Sequence, residues 1–411
     1  MSVLQNVSIT SSIFYFLIMA CVLVLAHVIA RKSSFYNALT SKQHYTFEPE
    51  ADVNAKLKNR HEMLDGLRGF LALGVLFQHA ITNFAYFSTG IWKITDIRFY
   101  RHAGGEAVIL FFMITSFLYW SKAIASKGNI DSMRLYRNRF LRLAPMYIFS
   151  AGVVTLSVLA QTGFHIASIT GFLKDMLSWM TLGLITTTTV NGLSIIPINA
   201  GIHWTLHYEW IFYLLLPFSA IALRGGIYRL FAIPMVALVL LMDDWGYWVI
   251  FLFGILAAHI VHKWPRINWI YKSGRSHQGL DANPKNLVRN WTISCIPIIG
   301  LIAIYLIQYK PYGVLQYVIS LCILLLFIYG NSFFGLFKTK AALFLGTISY
   351  SVYLMHGIVL FTVLHLADTI IPIDQLATWS FWGLILVSAL LTVLVSTITY
   401  KYIEHPFLQK K

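Results

Sequence analysis

The chain has 411 residues, of which 58% are hydrophobic and only 11% charged, and its mean hydropathy is +0.68. A soluble domain carries about 25% charged residues, so this composition excludes a soluble globular protein and describes a polytopic membrane protein. The net charge of +15 does not imply nucleic acid, because the basic residues sit in short loops between apolar runs.

The first apolar run covers 12–30. No Lys or Arg precedes it and Arg31-Lys32 follow it. That polarity is wrong for a cleaved signal peptide, so the run reads as an uncleaved anchor with its N-terminus outside. Residues 31–63 are polar and basic, a cytoplasmic linker. Residues 1–60 therefore form an anchor with its linker, and 61–411 a membrane-embedded domain. Further candidate spans are 66–85, 105–121, 143–161, 205–222, 230–243, 246–262, 291–309, 312–330, 343–366 and 380–402. The Thr-rich stretch 172–190 is ambiguous. Cys21, Cys295 and Cys322 all lie in apolar runs without metal or redox spacing, and read as small core residues.

Charge resolves the ambiguity, since cytoplasmic loops carry the excess of Lys and Arg. If 172–190 does not cross, the inside segments 31–68, 122–142, 223–229, 263–290, 331–342 and 401–411 hold 26 of the 31 basic residues. If it crosses, the split becomes 14 against 17 and the bias vanishes. The expected fold is thus an all-α transmembrane helix bundle of about 11 spans, with the N-terminus outside and the C-terminus cytoplasmic. Residues 163–204 are expected to form an outside lid, re-entrant or lying on the surface.

Three stretches carry chemistry. In Leu64 to Ala80, Asp65 stands one turn before Arg68, and His79 follows Arg68 by eleven residues. On one helix Arg68 and His79 share a face about 16 Å apart along the axis. Ionisable residues inside a membrane helix cost about 2.5–3.5 kcal/mol each on insertion scales and so mark function. The same spacing also fits an interfacial Asp65–Arg68 pair and a histidine bonded to a neighbouring helix. Arg134, Arg137, Arg139 and Arg142 crowd the loop before the span at 143, partly through ordinary positive-inside bias. Arg139 and Arg142 lie one turn apart and, with Arg68, offer guanidinium groups to a polyanion.

Glu209 stands about a turn inside the span that opens at Thr205, at a depth comparable with His79. A Glu–His pair suits a general base, the carboxylate orienting the ring. Glu209 can equally pair with His203, His207 or Arg101 at the interface. In the span 343–366, Tyr350, Tyr353 and His356 follow one another at one-turn spacing, with His356 near the expected depth of His79; a structural histidine fits there too. The loop 263–290 carries no chemistry that can be read.

Taken together these residues resemble the acyltransferase-3 family of integral membrane acyltransferases. The landmarks are Arg68-x10-His79, the helix Leu110 to Leu118 with Phe111-Phe112, the pair Arg139 and Arg142, and Trp204-Thr205-Leu206 to Glu209, Phe212 and Tyr213. Ile348 to His356 and Glu404-His405-Pro406-Phe407 complete the set. They run in family order from about residue 60 to 407. Two departures stand out: Thr115-Ser116-Phe117 replaces the usual Ser-Gly-Phe, and Ile109 stands where an acidic residue often precedes the Phe pair.

The resemblance implies a ten-helix core plus one N-terminal helix, in the form without a fused hydrolase-like domain. It implies an O-acetyltransferase of the bacterial inner membrane. Acetyl-CoA would be the cytoplasmic donor, and the acceptor a hydroxyl of a carbohydrate such as a surface polysaccharide or lipopolysaccharide unit. Arg68, Arg139 and Arg142, with Asp65, would hold the donor. His79 would be the general base, acting directly or through a transient acyl-enzyme, completed by Glu209, His356 and Tyr353. No metal is implied, and the partners are the donor, the acceptor and the bilayer. A small-molecule or lipid-linked acceptor is the alternative. A proton-coupled transporter also buries ionisable residues, but such folds often carry internal repeats and none is visible here.

Overall fold

A computed structural model describes residues 10–41, 51–231, 245–265, 284–308 and 311–409. The helices of eight or more residues are α1 (Thr10–Lys32), α2 (Ser34–Ser41), α3 (Ala51–Thr89), α4 (Arg98–Ala125), α5 (Ser132–Gln161), α6 (Ile169–Met180) and α7 (His203–Ile221). They continue with α8 (Trp245–Lys263), α9 (Pro284–Ile307), α10 (Val314–Ile328), α11 (Lys340–Thr347), α12 (Ser349–Asp368) and α13 (Thr378–Thr399). The only strands among the described residues are a two-stranded hairpin, Thr189–Val190 with Leu193–Ser194.

Eight of these helices are long and apolar enough to cross a bilayer, and α9 and α10 contribute shorter apolar helices. The protein is an all-α polytopic bundle. The expected span 230–243 and most of the loop 263–290 lie outside the described residues. The stretch 172–190 is not a membrane helix: α6 has 12 residues and spans only about 18 Å, well short of a hydrocarbon core of about 30 Å.

α3 is the central element. Leu64, Leu67, Leu71 and Val75 join one apolar cluster, and Ala72, Leu76, Phe77 and Ala80 join the other. A helix that is apolar all round belongs in the middle of a bundle. α12 bridges the same two clusters through Leu354 and Met355 on one side and Val352 and Leu360 on the other. α3 packs against α4, α11 and α12. Its approach to α11 is so close that a Cβ on Gly346 would lie 2.0 Å from the Asp65 carbonyl oxygen.

Two expectations change. The apolar run 343–366 is not one helix; α11 and α12 meet at a break at Ile348. His356 is therefore about 10 Å along its own helix, which starts at Ser349. Cys21, Cys295 and Cys322 are all exposed. Apolar runs of a membrane bundle present half their surface to lipid, so hydrophobicity did not tell inside from outside.

Candidate active site

α3 and α12 bring His79 and His356 together, with Nδ1 of His79 2.9 Å from Nε2 of His356. The rings are nearly parallel, 15° apart, with centroids at 5.1 Å. On its other side, Nδ1 of His356 lies 3.2 Å from the Val352 carbonyl. A carbonyl only accepts, so that nitrogen carries a proton. With both rings neutral, Nε2 of His356 is then an acceptor, Nδ1–H of His79 donates to it, and Nε2 of His79 keeps its lone pair. His356 is fully buried, whereas His79 is only half-buried and lies 6.4 Å from the ring of Trp92.

Beside this pair runs a cavity of about 680 Å³ including its opening. Its polar lining is Arg68, Arg139, Arg142 and Glu209; its apolar lining includes Phe111, Phe112 and Leu143; Thr205, Ser349 and Tyr353 contribute hydroxyls. Tyr353 closes the end toward the histidines. Its hydroxyl lies 2.7 Å from that of Thr205, and its ring is 5.9 Å from His356.

The cations are held in place by neighbours. Arg139 stands over the rings of Tyr119 and Tyr213, at 5.0 and 5.5 Å. The Tyr213 hydroxyl donates to Glu209. Arg142 is ion-paired with Glu404 at 2.8 Å, and Glu404 also accepts from Ser351 at 2.8 Å. Three guanidinium groups against Glu209 and Glu404 leave a formal surplus of one positive charge around the cavity. Two buried donors on this wall, the Ser349 hydroxyl and Nε of Arg139, have no hydrogen-bond partner among the described residues. Buried polar groups are nearly always satisfied, so orphans lining a cavity point to a ligand.

The structure therefore gathers the sequence candidates into two adjoining groups. His79 and His356 form one; Arg68, Arg139, Arg142, Glu209 and Tyr353 line the other. The expected Glu209–His79 pair does not form: Glu209 bonds Tyr213, and His356 takes the place beside His79. The interfacial partners named for Glu209 are engaged elsewhere, Arg101 with Asp96, His203 with Asn199 and His207 with the Leu184 carbonyl. Asp65 is half-buried beside the α11 junction and within electrostatic reach of Tyr400.

Sequence reasoning missed four residues. Ser349 and Glu404 stood inside the landmark stretches without a role. Glu106 is buried one turn before Ile109, where it accepts from Gln316 Nε2 at 2.8 Å and Ser320 Oγ at 2.6 Å. The signal was available, since Glu106 is a lone carboxylate in an apolar run. Trp92 carried no sequence signal at all.

The structure is thus a membrane-type helix bundle in which a histidine pair adjoins an arginine-lined cavity. The family model for the Acyl_transf_3 acyltransferase domain matches residues 62–401. The chain belongs to the acyltransferase-3 family, and is a multi-pass membrane acyltransferase. No curated protein and no solved structure matches it.

Proposed function

We propose that this protein transfers an acetyl group from acetyl-CoA to a hydroxyl of a carbohydrate at the bacterial inner membrane. The observation that carries the reading is the cavity itself, lined by three arginines and by Tyr353, whose ring lies next to the histidine pair. The guanidinium groups suit the phosphates of coenzyme A. The apolar walls suit the pantetheine arm, and the orphaned Ser349 hydroxyl suits an amide or thioester carbonyl. Asp65 supports this end through its junction with α11.

His79 acts as the general base. Its Nε2 takes the proton of the acceptor hydroxyl; the oxygen attacks the thioester carbonyl; the C–S bond breaks; and the proton passes from His79 to the departing thiolate. His356 holds the tautomer that makes this possible and accepts the Nδ1–H bond, which strengthens as His79 becomes cationic. Glu209 keeps Tyr213 in place beside Arg139, and Tyr353 separates donor from base until the acyl group arrives. The half-buried Trp92 offers a flat apolar face beside His79 on which a sugar ring can stack. In this reading the donor enters from the cytoplasmic side, the C-terminus is cytoplasmic and the N-terminus outside.

The test is purified protein in lipid nanodiscs with acetyl-CoA and isolated surface polysaccharide. Acetylated sugar and free coenzyme A in equal amounts support the assignment. Turnover with a small lipid-linked sugar instead would move the acceptor to a precursor. Absence of any binding of acetyl-CoA would end the donor assignment.

A further inference from the structure

The helices that precede the family-matched region reach the site from behind. α1 packs along α11 and α13 through a stripe of Ile18, Val22, Ala26 and Ala30. The same seam stacks Phe14 on Trp382 at 5.3 Å. After a one-residue break, α2 drives Tyr36 into the bundle. Tyr36 is buried, meets Phe344 edge-on at 4.8 Å, and donates its hydroxyl to the Thr397 carbonyl. Beside it, Phe35 meets His405 at 4.8 Å and Lys401 stands over Phe35 at 5.6 Å.

Thr397 and His405 flank a π-helical turn, Tyr400–Glu404, closed by the His405 N–H on the Tyr400 carbonyl. At its start the Tyr400 N–H is shared between the carbonyls of Ser396 and Thr397. A π-turn inserts one residue, rotating the downstream chain by about 100° relative to a continuous α-helix. The Tyr36 hydroxyl gives the Thr397 carbonyl a second donor at the entrance to this turn. The rotation has a consequence for the site. Lys401 and Tyr402 face outward, while Glu404 turns fully inward onto Arg142 and Ser351.

We propose that α1 and α2 are a brace for the donor site, and that Tyr36 is a positioning residue. By holding the π-turn in register it aims Glu404 at Arg142, which fixes that guanidinium at the cavity wall. The proposal rests on the donor reading, and the family model, which begins at residue 62, does not contain the brace.

Tyr36→Phe removes one hydroxyl and keeps the ring. The experiment follows backbone hydrogen exchange over residues 397–405 and coenzyme A affinity in the purified full-length protein, with Glu404→Gln and the double variant alongside. Faster exchange in Tyr36→Phe is expected, with affinity weakened about three- to tenfold and kcat at saturating donor unchanged. The double variant is expected to bind no more weakly than Glu404→Gln alone, because both act through one contact. Unchanged exchange overturns the brace. Additive losses, or a fall in kcat at constant affinity, overturn its link to Arg142. If the wild-type protein does not bind coenzyme A, the donor reading fails and takes that link with it, while the exchange data still decide whether Tyr36 holds the turn.

Discussion

At the scale of single residues, the ability of His79 to act as a base depends on which of its nitrogens carries the proton. The Val352 carbonyl sets the tautomer of His356, and His356 sets that of His79. His79→Ala is expected to abolish transfer while the protein still inserts, a loss of about 10²–10⁴-fold or more for a general base. His356→Gln should be milder, since an amide can still accept from Nδ1–H, whereas His356→Ala leaves that donor without a partner and should cost substantially more. Rates for the two variants at equal membrane abundance check this order. Ser349→Ala removes an orphaned hydroxyl rather than a structural bond. It should raise the KM for acetyl-CoA and leave thermal stability unchanged; a stability loss with unchanged KM would make it a packing residue. Arg68→Ala and Arg142→Ala should weaken donor binding more than acceptor binding, by about ten- to a hundredfold for a charged hydrogen bond. Equilibrium titration with coenzyme A reads this directly.

At the scale of elements, the sequence was legible wherever periodicity and charge spoke together. The Arg68–His79 spacing places both on α3, and the resemblance named the arginines that line the cavity. Pairing across helices was not legible. Depth along separate helices cannot say which face each presents, so the sequence pointed to Glu209 as the partner of His79 while the fold puts His356, at a similar depth, there. The π-turn that turns Glu404 inward and the break at Ile348 are set by tertiary packing and leave no mark in the hydropathy. The loop 90–97, which carries Trp92, is pinned by Asp96 to Lys93 and to Arg101. The hydrogen bond from Lys93, helped by the charges of Lys93 and Arg101, holds the Asp96 carboxyl below its ordinary range. A lowered carboxyl pKa means that the tie is complete at neutral pH and is lost only as pH falls through that lowered value. Asp96→Asn at neutral pH should therefore raise the acceptor KM and leave the donor KM alone, whereas mild acid should leave this tie, and with it the acceptor KM, unchanged.

At the scale of the whole molecule, the charge count gives a topology and the fold gives it parts. α6 buries Trp179 and leaves Ile169, Leu173, Leu177 and Met180 exposed, the amphipathic pattern that the expected surface-lying lid calls for. The segment then returns to the bundle at Asn199, whose backbone approaches so near that a Cβ on Gly357 would lie 2.6 Å from it, next to His356. A single Cys introduced near residue 195 should react with an impermeant thiol reagent applied from outside; protection there with labelling near 276 would invert the map. Whether His79 drives acetyl transfer to a surface carbohydrate is read from mass spectrometry of surface polysaccharide. Cells with the wild-type gene, with a deletion and with His79→Ala at equal membrane abundance should show acetylated repeats only in the first. Acetylation persisting in the His79→Ala cells would contradict the account.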